Sequence, residues 1–120
     1  MKYLTVEEII QIHEKLIEQF GGETGIVDRN SLDFIISKVQ SSKGEIYRKA
    51  AILLHDIISS HPFIDGNKRT AIETAKIFLR ENDKRLELKD INKTGEYINS
   101  IAEGKKNLIS IDKWIKEHCD

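Results

Sequence analysis

His61, Asp65, Lys68 and Arg69 fall within a single stretch, His61-Pro62-Phe63-Ile64-Asp65-Gly66-Asn67-Lys68-Arg69-Thr70, near the middle of the chain. Their side chains have complementary chemistry. An imidazole accepts protons near neutral pH, so His61 suits the role of general base toward an attacking hydroxyl. Asp65 offers the hard carboxylate oxygen that Mg²⁺ takes up together with phosphate oxygens. Arg69 presents a planar fork that matches phosphate, and Lys68 adds a second cation. Pro62 is the only proline; it fixes φ and lacks an amide proton, while Gly66-Asn67 tolerates turn geometry, so the stretch must begin as a loop. The helical pattern resumes at Lys68. Two cations therefore occupy a first helical turn, where the macrodipole is positive and acids are the usual residents. Unsatisfied amides and cations converging there suit an anion, most simply phosphate, with Asn67 and the amides after it as further ligands. Base, metal ligand, amide turn and cations are the parts of phosphoryl transfer, a reaction governed by positioning and charge neutralisation. A purely structural reading uses the same residues: a Gly-Asn corner, Asp65 capping the next helix, Arg69 paired with Glu73 one turn on, and Phe63 anchoring the loop in the core. The cations stacked against the dipole, with no acid ahead of them but Asp65, count against that reading.

The elements that must hold this loop are helices. Thr5-Val6-Glu7-Glu8 forms a capping box, followed by an apolar face of Val6, Ile9, Ile10, His13, Leu16, Ile17 and Phe20. Gly21-Gly22 ends that helix, and a polar loop runs from Glu23 to Asn30. Asp28 or Asn30 caps the second helix, which faces inward through Leu32, Ile35, Ile36 and Val39. After a break at Ser41-Ser42-Lys43-Gly44, the segment from Glu45 to Ser60 is helical and apolar almost all round, as expected for the centre of a domain. The loop follows, then a helix from Lys68 to Arg80 that buries Ala71, Ile72, Ala75, Phe78 and Leu79. Leu86-Glu87-Leu88 alternates like a short strand. A helix with Tyr97, Ile98 and Ile101 inward ends at Gly104, and a last one, capped by Ser110, buries Ile111, Trp114 and Ile115. The expected architecture is all-α, a compact bundle of about six helices with the active loop between two central ones.

The chain of 120 residues reads as a single domain, 1–120, without repeats or linkers. It is long enough to bury roughly 65% of its unfolded surface, with a radius of gyration of about 14 Å. The balance of 19 Lys+Arg against 20 Asp+Glu gives no net field to recruit DNA or a membrane surface. One cysteine, Cys119, excludes an internal disulfide and fits a reducing cytoplasm. Met1-Lys2-Tyr3-Leu4 opens no long apolar run, so neither a signal peptide nor a membrane span is expected.

The stretch from His61 to Arg69 resembles the signature of the Fic/Doc superfamily, His-x-Phe-x-acid-Gly-Asn-x-Arg, with every defined position present. Leu4 to Glu14, Phe20-Gly21-Gly22, Gly25 to Leu32 and Ala50 to His55 look like the corresponding parts of Doc (death-on-curing) proteins, so the resemblance covers essentially the whole chain. It implies a Fic-fold bundle in which His61 is the general base, Asp65 binds Mg²⁺, Gly66 and Asn67 form the phosphate-binding turn and Arg69 holds nucleotide phosphates. AMP-transferring members carry Gly-Asn-Gly-Arg-x-x-Arg; here Lys68 replaces the second glycine and Ile72 the second arginine. Both departures are shared with Doc, a protein kinase. A lysine fills space that the nucleotide would need in the AMP-transferring orientation, and Ile72 cannot hold distal phosphates, so ATP would lie reversed and present its γ-phosphate. Gly66, by contrast, follows the Fic pattern, where phage Doc has alanine. The resemblance thus implies a toxin of a toxin–antitoxin pair. It would phosphorylate a Ser/Thr hydroxyl of a translation elongation factor, by analogy elongation factor Tu, and be restrained by a small Phd-like antitoxin. Protein adenylylation (AMPylation) and a catalytically silent nucleotide-binding module are the alternatives.

Other residues read more plainly. His55-Asp56 resembles part of an HD phosphohydrolase metal set but lacks well-placed partners; His55 is expected near the motif loop, lining the cleft. His13 reads as a core or cleft-wall histidine, Lys105-Lys106 as a solvated corner, and His118-Cys119 as terminal residues rather than a metal pair. Asn99 to Glu103-Gly104 approaches the self-blocking Ser/Thr-x-x-x-Glu-Gly/Asn helix of some Fic proteins but lacks the hydroxyl residue, so restraint must come from a partner.

Overall fold

A computed structural model describes residues 1–120 as six α-helices: α1 (Val6–Phe20), α2 (Arg29–Ser41), α3 (Ile46–Ser60), α4 (Asn67–Glu81), α5 (Ile91–Ala102) and α6 (Leu108–Glu117). The all-α expectation holds, and the radius of gyration is 13.1 Å. No helix is long and apolar enough to cross a membrane.

The helix starts follow from local chemistry. The Thr5 hydroxyl accepts from the Glu8 amide while the Glu8 carboxylate accepts from the Thr5 amide, completing the capping box of α1. Asp28, rather than Asn30, caps α2, and Asp90 caps α5. The last helix corrects its expected cap. Asn107, not Ser110, is the N-cap, because its side-chain oxygen accepts from the Ser110 amide and starts the helix three residues earlier. The helix after the loop begins at Asn67, one residue before Lys68.

Helix α3 is the axle, packed against α2, α4, α5 and α6, while α1 lies across α4 and α2. Ala50, Ala51, Ile52, Leu53, Leu54, Ile57 and Ile58 are all buried on it. Two charged residues are buried there as well, and each is compensated. Lys49 Nζ donates to the carbonyls of Val39 and Ser42, both at 2.7 Å, so a cation closes the C-terminal end of α2 where the dipole is negative. Asp56 accepts from Lys38 Nζ at 3.0 Å and from His55 Nδ1 at 2.7 Å. His55 and Asp56 thus belong to a structural ion pair, and no group of three or more His, Cys, Asp or Glu side chains converges anywhere in the chain. His55 does not line the motif cleft, contrary to expectation, because its ring is turned to its neighbour's carboxylate and to Ser59.

Leu86-Glu87-Leu88 forms only one antiparallel bridge, Leu86 with Cys119. The Glu87 amide donates to the His118 carbonyl at 2.9 Å and the Asp120 amide to the Arg85 carbonyl at 3.0 Å, tying the C-terminus to the α4–α5 connection. Trp114 of α6 stacks on Tyr97 of α5 with ring centroids 4.2 Å apart.

The buried lysine makes a sharp test of this packing. Lys49→Met retains the apolar stem but leaves two carbonyls without a donor, and should destabilise the fold by about 1–3 kcal/mol per orphaned group in a urea titration, an upper bound if water reaches either one.

Candidate active site

The loop from His61 to Gly66 is held by contacts that converge from three parts of the chain. Helix α3 ends at His61, whose backbone is left-handed (φ 48°, ψ 60°), a conformation costly for a residue with a Cβ. The turn it makes sends Pro62 and Phe63 inward, and Phe63 is 1% exposed. The Asn67 carboxamide then closes the loop on itself: its oxygen accepts from the Phe63 amide at 3.0 Å and its nitrogen donates to the Phe63 carbonyl at 2.9 Å. From α1, His13 lies flat on Phe63 (centroids 3.9 Å, planes 4° apart) and its Nε2–H donates to the Asp65 carbonyl at 2.8 Å. From the α1–α2 loop, the Val27 amide donates to the Pro62 carbonyl at 2.8 Å and the Ile64 amide to the Gly25 carbonyl at 3.1 Å. Gly66, at φ 75°, takes the left-handed turn into α4, and a Cβ there would come within 3.2 Å of Ile17.

This bracing fixes what the loop presents outward. Helix α4 has no side-chain cap, and the amides of Asn67, Lys68 and Arg69 meet no acceptor in the protein. They are the unsatisfied donors of a first helical turn, at its positive end. The Asn67 side chain is engaged by Phe63, so what Asn67 offers an anion is its backbone amide. Lys68 and Arg69 are exposed. The Arg69 guanidinium lies 4.2 Å from the centroid of the Phe20 ring, and no Arg69–Glu73 ion pair forms. Lys68 Nζ donates to the Asn99 carboxamide oxygen at 3.0 Å.

His61, Asp65, Gly66, Asn67, Lys68 and Arg69 line one cleft of about 630 Å³. Ile72 and the α5 residues Gly95, Ile98 and Asn99 complete its walls. The His61 ring has no hydrogen-bond partner of its own and is open to solvent, free to meet an incoming hydroxyl. Asp65 is also exposed; its carboxylate accepts from the Gly66 amide at 2.8 Å and from the Glu23 amide at 3.2 Å, one bond to each oxygen. Each oxygen keeps a free lone-pair site. Asp65 belongs to no cluster of three or more metal-ligating side chains, so it fits an ion that arrives with phosphate ligands of its own, as Mg²⁺ does, better than a cation needing an all-protein cage.

Two supports of the site escaped the sequence reading. His13 was expected only as a core or cleft-wall residue; it is 2% exposed and also the strut of the loop, a contact across 52 residues that no local pattern signals. Phe20 was expected on the apolar face of α1, yet it is 54% exposed and carries Arg69 instead. The one available signal was its place at the end of the helix, beside Gly21-Gly22.

The clamp can be tested without activity. Asn67→Ala orphans both polar groups of the buried Phe63 peptide and should lower unfolding free energy by about 1–3 kcal/mol for each, read by denaturant titration. His13→Phe keeps the stacked face but loses the bond to Asp65, and should cost less, about 0.5–1.5 kcal/mol.

Comparison with known proteins agrees with this geometry. Residues 3–79, more than half of the chain, match the Fic/DOC family. The chain is similar to a protein named Protein kinase doc from Escherichia phage P1, with 31% identity over 121 aligned positions that cover 90% of this chain and 96% of the relative. It is also similar to Toxin Doc from Mycolicibacterium smegmatis, with 32% identity over 99 positions, covering 77% of this chain and 76% of the relative. From the complete motif, the fold that braces it and these matches, the chain belongs to the Fic/Doc superfamily, in its Doc branch.

Proposed function

We propose that this protein is a Doc-type toxin that transfers the γ-phosphate of ATP to a Ser/Thr hydroxyl of a target protein. The observation that carries the reading is the convergence in one cleft of three acceptor-free amides, two cations and an unpartnered histidine. A terminal phosphate seated on the amides of Asn67, Lys68 and Arg69 meets the positive end of α4 and the Arg69 fork. His61 removes the proton from the target hydroxyl as its oxygen attacks the γ-phosphorus. The new O–P bond forms, the bond to the β–γ bridging oxygen breaks, and ADP leaves. Asp65 would hold Mg²⁺, which when bound neutralises phosphate charge.

Transfer of phosphate rather than AMP is supported by two residues. Lys68 stands where AMP-transferring members have glycine, and its ammonium lies in the cleft beside Asn99. Ile72, where those members have a second arginine, lines the same cleft and offers distal phosphates no charge. The names of the relatives, Protein kinase doc and Toxin Doc, support the toxin and kinase reading. The target is a translation elongation factor, by analogy elongation factor Tu, in the cytoplasm. Restraint comes from a small Phd-like antitoxin. In line with this, Glu103 pairs with Lys105 away from the cleft, so the Asn99–Gly104 segment does not reach the phosphate site through its acid.

Incubation with γ-labelled and, separately, α-labelled ATP in the presence of Mg²⁺ and cell extract tests the reaction. Label should enter protein from the γ position. Label from the α position alone would replace phosphorylation with AMP transfer, and nucleotide binding without transfer from either would mean a silent module. His61→Ala should slow transfer by roughly 10²–10⁴-fold while ATP still binds; an unchanged rate would remove His61 as base.

A further inference from the structure

Outside the motif cleft, α3 carries a second set of reactive groups. His55, Asp56 and Ser59 lie near its C-terminal end, with His55 and Ser59 one turn apart on the same face. The His55 Nδ1–H donates to Asp56 Oδ1 at 2.7 Å. An ionised carboxylate can only accept, so this bond puts the ring proton on Nδ1 and leaves Nε2 of the neutral ring as an acceptor. The Ser59 hydroxyl lies 3.4 Å from that Nε2 and donates to it. Lys38 Nζ donates to the other Asp56 oxygen at 3.0 Å, which steadies the carboxylate. Hydroxyl, imidazole and carboxylate thus connect in the order that activates a serine: a base within reach of the hydroxyl, and an acid that sets the tautomer of the base. The long Ser59 bond is of the kind that tightens when substrate arrives.

This serine borders a cavity of its own. Ser59 is exposed and, with Asp56, lines a space of about 500 Å³ between the end of α3 and the start of α2 that shares no residue with the motif cleft. Phe34, 68% exposed, and Ile35 give the cavity an apolar side. Its charge is of the opposite sense to that of the motif cleft. Asp28 and Asp56 border it, and α3 ends there, so the nearest helix pole is negative. A phosphate ester would be repelled. An uncharged ester with a short apolar acyl chain matches both the charge and the Phe34 side.

We infer that Ser59 is a second, independent nucleophile, which takes the acyl group of small uncharged esters with His55 as its base. Ser59 Oγ attacks the ester carbonyl carbon as its proton passes to His55 Nε2. The new O–C bond forms, the bond to the alcohol oxygen breaks, and the alcohol leaves with the proton that His55 returns. Water then attacks the acyl-serine by the same route, releasing the acid and restoring the hydroxyl. Asp56 acts through His55, as the positioning residue that keeps Nε2 free of a proton.

Incubation of the full chain with p-nitrophenyl butyrate tests the inference. p-Nitrophenol should be released, and mass mapping of peptides should place the butyryl group on Ser59. Release should fall by roughly 10²-fold in Ser59→Ala and in His55→Gln. Ser60→Ala, which removes a hydroxyl bonded to the Asp56 carbonyl, should stay within about twofold. Asp56→Asn should lower the maximal rate roughly tenfold or more while the half-saturating ester concentration stays within about twofold, a split that loosened packing does not produce. Thermal midpoints of each variant show that it is folded. Butyryl groups on lysines alone, equal release from Ser59→Ala, or a wild-type rate in His55→Gln overturns the inference. An unchanged maximal rate in folded Asp56→Asn overturns the positioning role of Asp56.

Discussion

Both backbone polar groups of Phe63, its amide and its carbonyl, bond to the Asn67 carboxamide, and the site depends on that closure. The peptide is buried, so its amide and carbonyl need partners or carry a full desolvation penalty. Asn67 satisfies both at once and thereby fixes the distance between the inward Phe63 and the first residue of α4. The loop between them can then only bow outward. His13 catches the bow at the Asp65 carbonyl and stacks beneath it on Phe63, while the α1–α2 loop holds its other edge through Pro62 and Ile64. A rigid loop is what allows the next three amides to point into solvent together, as positioning chemistry requires.

The electrostatics of the site run against those of the rest of the fold. Lys49, at the C-terminal end of α2, and the Asp56 pair with Lys38 show charges placed where the structure compensates them. Lys68 and Arg69 sit instead at the positive end of α4, a placement that is unfavourable by some 0.3–1 kcal/mol for each charge in the absence of an anion. The fold does not neutralise them with acids. It steadies them with uncharged groups, the Phe20 ring and the Asn99 carboxamide, and so preserves their positive potential. A local rule broken in this way is the kind of departure that accompanies functional sites, and the proposed phosphate supplies a ligand for the imbalance.

A second groove of similar size, about 570 Å³, runs between α1 and α4 past Glu8, Lys15 and Glu73. It contains none of the motif residues, so volume alone does not distinguish the two. Chemistry does, because only the motif cleft joins free amides, cations and a histidine. Phe20 borders the second groove and carries Arg69, which places one aromatic residue at the boundary between the two surfaces.

Much of this was legible in the residues themselves. Helical periodicity, the Thr5–Glu8 box and the Pro62 and Gly66 breaks act over a few residues, so the amino-acid order determines them. The same locality put His61, Asp65, Lys68 and Arg69 within reach of one another. Where short-range signals compete, residue order by itself does not choose between them. Asn107 and Ser110 are both good caps, and the Asn107 side chain takes the Ser110 amide. Leu86-Leu88 alternates, but a strand needs a partner, and the C-terminus supplies only one bridge. The sequence alone determined the helices, the loop and the chemical groups it carries. Tertiary structure decided how those groups are aimed: the His13 strut, the Phe20 ring under Arg69 and the Asn99 contact to Lys68. Each of these joins residues far apart in the chain, and such contacts arise only when packing of apolar faces brings separate helices together.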